Sequence, residues 1–317
     1  MSDHGILWAV ALDGKGGRRA LEWEELSAAP PQAVWLHLTG ASPELRAWLH
    51  DHSGLDAAAL ETFLSPETRP RCMANGETLL VFVRGVNLNP GSQPDDMLSL
   101  RMAVSPQLLI TFRQARLATP AAVAERLEAG QGPADVPSLF VTLVVELSGR
   151  IQPVLDNLDD LIAEREGELE STQRKDLTEL RRQTIALRRY LAPQRAALAS
   201  LVAAAPAWLP ALGLARLREV ADVTARFVEH LDEIRERGSV LHDELSNRVG
   251  EELNARMYAL SVVTLVFLPL GLLTGLLGIN VGGMPGSDDP QAFWIVCGIL
   301  LAISALIGVW LRRLRWI

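Results

Sequence analysis

The apolar positions of this chain change rhythm twice, and each rhythm predicts a different architecture. Residues 1–136 carry short β-prone runs at 6–12, 34–38, 78–86, 99–104 and 108–112. Amphipathic helical stretches at 43–52, 56–64 and 120–128 lie between and after them, the alternation expected of an α/β domain. From 137 to 256 the pattern becomes that of long helices. One is expected over 138–170 with a kink at Pro153, and a second over 174–204 with another kink at Pro193. After the break marked by Pro206, Pro210 and Gly213, a third pattern begins. Leu217, Val220, Thr224, Phe227, Leu231, Ile234, Gly238, Leu241 and Leu245 alternate steps of three and four, a heptad stripe. Nothing but Gly250 interrupts it, so one helix is expected from Gly213 to Gly278, roughly 100 Å at 1.5 Å per residue. A helix of that length requires partners along it.

The third region, 257–317, is apolar. Two spans without charge, 258–278 and 293–311, each have about the 20 residues that a helix needs to cross a bilayer. Arg248 and Arg256 precede the first, while Arg312, Arg313 and Arg315 follow the second. The loop between them has no Lys or Arg but contains Asp288 and Asp289. This asymmetry predicts that both termini are cytoplasmic and the loop is outside. Trp294, Trp310 and Trp316 fall near the expected interfaces. The N-terminus has no basic segment followed by an apolar one, so no cleaved signal is expected.

Followed into the membrane, the stalk's spacing selects Asn254, Met257, Ser261, Thr264, Leu268, Gly271, Gly275 and Gly278. Only Met257 and Leu268 among them are bulky and apolar. Such a face lines a water-filled path, or it lets helices pack closely. Two spans per chain cannot enclose a channel, so a pore here takes one first span from each of several chains. Neither span holds an Asp, Glu, Lys, Arg or His for a proton relay. A divalent ion would pass largely hydrated, since amides and hydroxyls are weak replacements for its inner water shell. Met257 and Leu268 would form apolar constrictions able to gate by dewetting.

The remaining composition narrows the classes. The net charge of −8 argues against a nucleic-acid partner. Two distant cysteines, Cys72 and Cys297, offer no disulfide framework or Cys-rich zinc site. Gly14-Lys15-Gly16-Gly17 lacks the spacing of a phosphate loop and reads as a hairpin turn. His50 and His52 read as surface residues. His230 and His242 lie among stalk carboxylates and are candidates for weak cytoplasmic metal or proton sites if several copies surround them. No nucleophile or zinc-hydrolase motif is present, so no enzyme is expected, and no tightly bound cofactor.

Asn254-Ala255-Arg256-Met257, Leu260, Thr264, Phe267-Leu268-Pro269-Leu270 and Gly278-Ile279-Asn280 resemble the CorA family of metal-ion transporters. The hallmark of that family is Gly-Met-Asn, and Ile279 in its middle is tolerated by the zinc-transporting ZntB branch. Val281-Gly282-Gly283-Met284-Pro285-Gly286 also resembles that branch. So do residues 12–17, Thr68-Arg69-Pro70-Arg71 and residues 188–195. The resemblance implies an α+β membrane protein: a cytoplasmic α/β domain, a long helical stalk and two C-terminal transmembrane helices in a homopentameric funnel. It implies an outer selectivity filter at Gly278, Ile279 and Asn280, with the Asn280 amides holding a hydrated cation. A second polar ring would form at Asn254, and Asp288 and Asp289 would stand at the mouth, where their other reading is a solvated loop tip. The cargo implied is Zn²⁺ or another divalent cation across a bacterial inner membrane, with proton coupling left open. A magnesium, cobalt or nickel channel is the alternative within the class. A membrane-anchored coiled-coil scaffold is the alternative outside it. Glu219 and Asp222 fall near the place where CorA members sense magnesium, without a matching motif.

Overall fold

The computed structural model describes residues 4–28, 31–66, 69–167, 174–279, 286 and 289–313. They form two compact units, Met1–His242 and Asp243–Ile317. The first is built on a seven-stranded sheet ordered β2-β1-β3-β7-β6-β5-β4. Its strands are β1 (Ile6–Leu12), β2 (Arg18–Ala20), β3 (Val34–Leu38), β4 (Arg71–Asn75), β5 (Thr78–Gly85), β6 (Leu98–Val104) and β7 (Leu108–Arg113). Only β3 and β7 are parallel; every other pair is antiparallel.

Both faces of the sheet are covered, which is why its central strands read as nearly unbroken apolar runs. On one face Leu36, Leu38, Leu80, Phe82, Ile110 and Phe112 pack with helices α2 (Pro43–His52) and α3 (Ala57–Leu64), through Leu45, Trp48, Leu49, Leu60 and Phe63. Both helices start at a side-chain cap: Ser42 accepts from the Leu45 amide and Asp56 from the Ala59 amide. The short α1 (Trp23–Ala28) precedes them.

The opposite face, with Trp35, Val81, Val83, Leu100 and Met102, buries α4 (Ala118–Glu128) and α5 (Val136–Gly149). Asp135 caps α5 by accepting from the Ser138 amide at 2.7 Å. Leu139, Phe140, Val141, Leu143 and Val144 are all buried. A helix apolar all round is a core helix, so Val136–Gly149 belongs to this interior, although the stretch Val136–Gly167 is long and apolar enough to span a bilayer.

Three long helices follow: α6 (Gln152–Gly167), α7 (Arg174–Ala203) and α8 (Ala211–Leu277). The helix expected over 138–170 with a kink at Pro153 is in fact two. The chain breaks at Arg150 and Ile151, and Pro153 sits in the first turn of α6, where its missing N–H costs nothing. α7 runs through Pro193 without ending. α8 runs for 67 residues, and Leu217, Val220, Thr224, Phe227, Leu231, Ile234 and Leu241 are buried along it as the heptad stripe requires. Gly238 on the same stripe lies where an added Cβ would touch Leu180 and Ile162. The second unit holds the rest of α8 and α9 (Ala292–Arg313).

Sequence reading missed two strands. β4 is a half-exposed edge with only partial alternation, and β2 has three residues. The signal for β4 was nonetheless present: Asn75-Gly76 begins a two-residue hairpin in which Gly76 takes φ 60°.

Candidate functional site

The stretch of α8 beyond residue 243 carries the candidate conduit. Leu260, Phe267, Leu268 and Leu272 are each about two-thirds exposed in the single chain. The most apolar windows of α8 and α9 bury nothing, and both helices are long and apolar enough to cross a membrane. Asn254, Met257, Ser261, Thr264, Leu268, Gly271 and Gly275 all lie exposed on α8.

The hydroxyls have a defined polarity. Ser261 donates to the Met257 carbonyl and Thr264 to the Leu260 carbonyl, both at 2.8 Å. Thr274, at the edge of the same stripe, donates to Leu270 at 2.9 Å and to Gly271 at 3.1 Å. Each proton is thus used within the helix, and what each oxygen presents outward is lone pairs. Thr274 escaped the sequence reading because strict alternation of three and four passes over it to Gly275. Its spacing of three from Gly271 and four from Gly278 is the signal that would have found it.

Beside Pro269 lies a groove of about 420 Å³ lined by Leu260, Ser261, Thr264, Leu265, Leu268 and Pro269. Nothing lies within 4 Å of a Cβ added at Gly271 or Gly275, so the chain itself leaves those positions open to a neighbour or to water. Gly278 ends the helix, its amide donating to the carbonyls of Thr274 and Gly275. Ile279 is about half exposed. Asn280 and Asp288 lie outside the described residues. Asp289 accepts from the Gln291 amide at 2.8 Å, and its own carbonyl accepts from the Ala292 amide, so it helps to start α9.

The long helix α8 is braced within the first unit. Arg237 of α8 donates to both oxygens of Glu166 and to Asp159 on α6, at 2.6–2.8 Å. Arg188 of α7 grips both oxygens of Asp232. These hydrogen bonds hold the Glu166 and Asp232 carboxyls below their ordinary range. His230 stands 3.5 Å from Asp159. Among the described residues no group of three or more His, Cys, Asp or Glu side chains is placed to hold a metal within one chain. Glu219 and Asp222 are exposed on α8.

A large α/β head, a long helix that passes out of it, and a second apolar helix at the C-terminus define a two-span membrane protein. Residues 31–313 match the family described as CorA-like Mg²⁺ transporter protein. The chain belongs to that family. It is 37% identical to the divalent cation transporter CmaX of Pseudomonas aeruginosa, covering 99% of this chain and 98% of that one. It is 31% identical to the zinc transport protein ZntB of Yersinia pseudotuberculosis, over 98% and 96% of the two. The structure of full-length CmaX superposes with a TM-score of 0.84 over 99% of this chain and 98% of its own. The complete CorA magnesium transporter of Methanocaldococcus jannaschii, at 19% identity, shares the fold with a TM-score of 0.80 over 98% and 99%.

Proposed function

We propose that this protein carries divalent metal cations, Zn²⁺ first among them, through a homopentameric pore lined by the membrane part of α8. The observation that carries the proposal is the acceptor-lined stripe of Ser261, Thr264 and Thr274 on an otherwise greasy helix, continuous with the buried stripe of the head. A ring of such faces offers lone pairs to the hydrogens of a cation's water shell and no free hydroxyl protons to an anion. Gly278, Ile279 and Asn280 form the outer filter, where the Asn280 amide oxygens hold the hydrated ion. Asn254 forms the inner polar ring, Met257 and Leu268 the constrictions, and Asp288 and Asp289 the acidic mouth. Residues 1–136 and 137–256 are the cytoplasmic domain and stalk, and both termini face the cytoplasm of the inner membrane, in keeping with the arginines that flank the spans.

Relatives named as zinc and divalent cation transporters support the choice of cargo. The family description favours Mg²⁺ as a second reading. Uptake into proteoliposomes decides between them, with Zn²⁺ and Mg²⁺ offered separately, with and without a pH gradient. Zn²⁺ flux that vanishes in Asn280→Ala while the assembly persists is the expected result, and stimulation by the gradient would add proton coupling. Mg²⁺ flux without Zn²⁺ flux would select the second reading. Unchanged flux in Asn280→Ala would remove the filter assignment.

A further inference from the structure

On the α2–α3 face of the sheet, one row of cross-strand partners runs Arg71 (β4), Phe82 (β5), Arg101 (β6), Phe112 (β7). The guanidinium of Arg71 lies over the Phe82 ring at 4.6 Å and that of Arg101 over Phe112 at 4.7 Å. Arg101 is only 1% exposed. Its Nη1 donates to the Phe63 carbonyl at 2.7 Å, but its Nη2 is buried and has no partner. Arg71 Nε is buried without a partner as well, and so is Ser99 Oγ, two residues before Arg101 on β6 and therefore on the same face. Arg84, opposite Ser99, adds a third positive charge. Burial, followed by repulsion from Arg71 and Arg84, lowers the Arg101 pKa. Among the described residues no carboxylate reaches Arg71 or Arg101.

All three unsatisfied groups can donate a hydrogen bond, two of them are cationic, and the aromatic rings offset only part of the desolvation. A buried positive site with spare donors on separate strands calls for an anion with several acceptor oxygens. We propose that Arg71, Ser99 and Arg101 bind a small free oxyanion of phosphate or sulfate size, with Arg101 at the floor and the half-buried Arg71 and Ser99 at the rim. A tetrahedral oxyanion has four oxygens to offer such donors, whereas a single carboxylate has two. This site is independent of the transport reading.

Isothermal titration of the full-length, detergent-solubilised protein with sodium phosphate and sodium sulfate, at constant ionic strength in chloride, tests it. Saturable binding is expected in the wild type. It should weaken by about tenfold in Arg71→Gln, which loses a charge-assisted donor, and also in Ser99→Ala. Arg18→Gln, a charge loss on β2, should leave it unchanged. Matched elution profiles show that the variants remain folded. Absence of saturable binding in the wild type overturns the proposal, as does equal affinity in Arg71→Gln. Glucose 6-phosphate should not compete, since the floor is buried; equal competition would overturn the assignment to a free oxyanion.

Discussion

His37 stands opposite Trp8 in the β1–β3 pairing, stacked on its indole at 4.1 Å and wholly buried. Thr111 Oγ1 accepts from Trp35 Nε1 at 2.8 Å and lies 2.7 Å from His37 Nδ1 and 3.2 Å from the Leu36 carbonyl. With the hydroxyl proton given to Leu36, His37 must donate from Nδ1, which fixes a neutral tautomer. Burial first, then the charge of Arg113, lowers its pKa from 6.5 to about 3. The sign follows: the unfolded chain takes up a proton near pH 6.5 that the folded one refuses until about pH 3. Stability should therefore fall as pH drops through that window, by on the order of a few kcal/mol. His37→Asn should flatten the loss between pH 6.5 and 4, read as the apparent melting midpoint in detergent. A slope identical to the wild type would contradict the buried neutral imidazole. Nothing in the sequence announced this residue, because a histidine in the run Val34-Trp35-Leu36-His37-Leu38 looks like any polar interruption of a strand. Its partners come from strands far away in the chain. The hydroxyl stripe of Ser261 and Thr264, by contrast, was legible, because its periodicity is local to one helix.

At the scale of elements, α8 is the piece that the sequence described best, since a heptad stripe and an uncharged apolar span are both periodic signals within one segment. What binds it to its neighbours was not legible. The Arg237 clamp on Asp159 and Glu166 joins positions more than 70 residues apart, and no short-range pattern encodes such a pairing. Two predictions separate packing from charge. Leu231 is fully buried in the first unit, so Leu231→Ala should cost about 2–5 kcal/mol, measured as a lower melting midpoint. Leu260→Ala, at a position two-thirds exposed in the chain, should leave that midpoint within about 0.5 kcal/mol. The clamp behaves differently. Glu166 is a depressed carboxyl held first by Arg237, so its contribution is present above the unfolded value of 4.5 and disappears as pH falls through the lower folded one. This window lies below most of the one that His37 governs. Arg237→Gln should weaken the loss on the acid side of pH 4.5 and leave the slope between about pH 6.5 and 5 untouched. The effect should be modest, because these side chains are more than a quarter exposed and solvent screens them. A shift confined to the upper window would contradict the assignment.

For the whole molecule, what remains to be explained is the amount of apolar surface one chain leaves uncovered. Apolar surroundings suit Val262, Val266 and Leu273, but they are poor neighbours for Asn254, Ser261, Thr264 and a file of glycines on the opposite side of the same helix. The two kinds of surface need different surroundings, and the proposed assembly, which turns one face inward, would supply both. The stripe itself is legible in one sequence; the number of copies is not, because it depends on the angle between neighbouring chains. Native mass measurement in mild detergent should give five copies, and a stable monomer or dimer would contradict the pore. Cysteines placed singly at positions 261, 264, 271, 266 and 273, in a background with Cys72 and Cys297 replaced by serine, test the facing directly. A membrane-impermeant maleimide should react at 261, 264 and 271 and spare 266 and 273, because only thiols in water form the reactive thiolate. Zn²⁺ present during labelling should slow the first three. If all five sites react alike, or only the Val266 and Leu273 positions do, the polar face borders lipid or protein instead of water. Five copies would then describe a scaffold, since an assembly whose hydroxyls never meet solvent has no route for a hydrated ion.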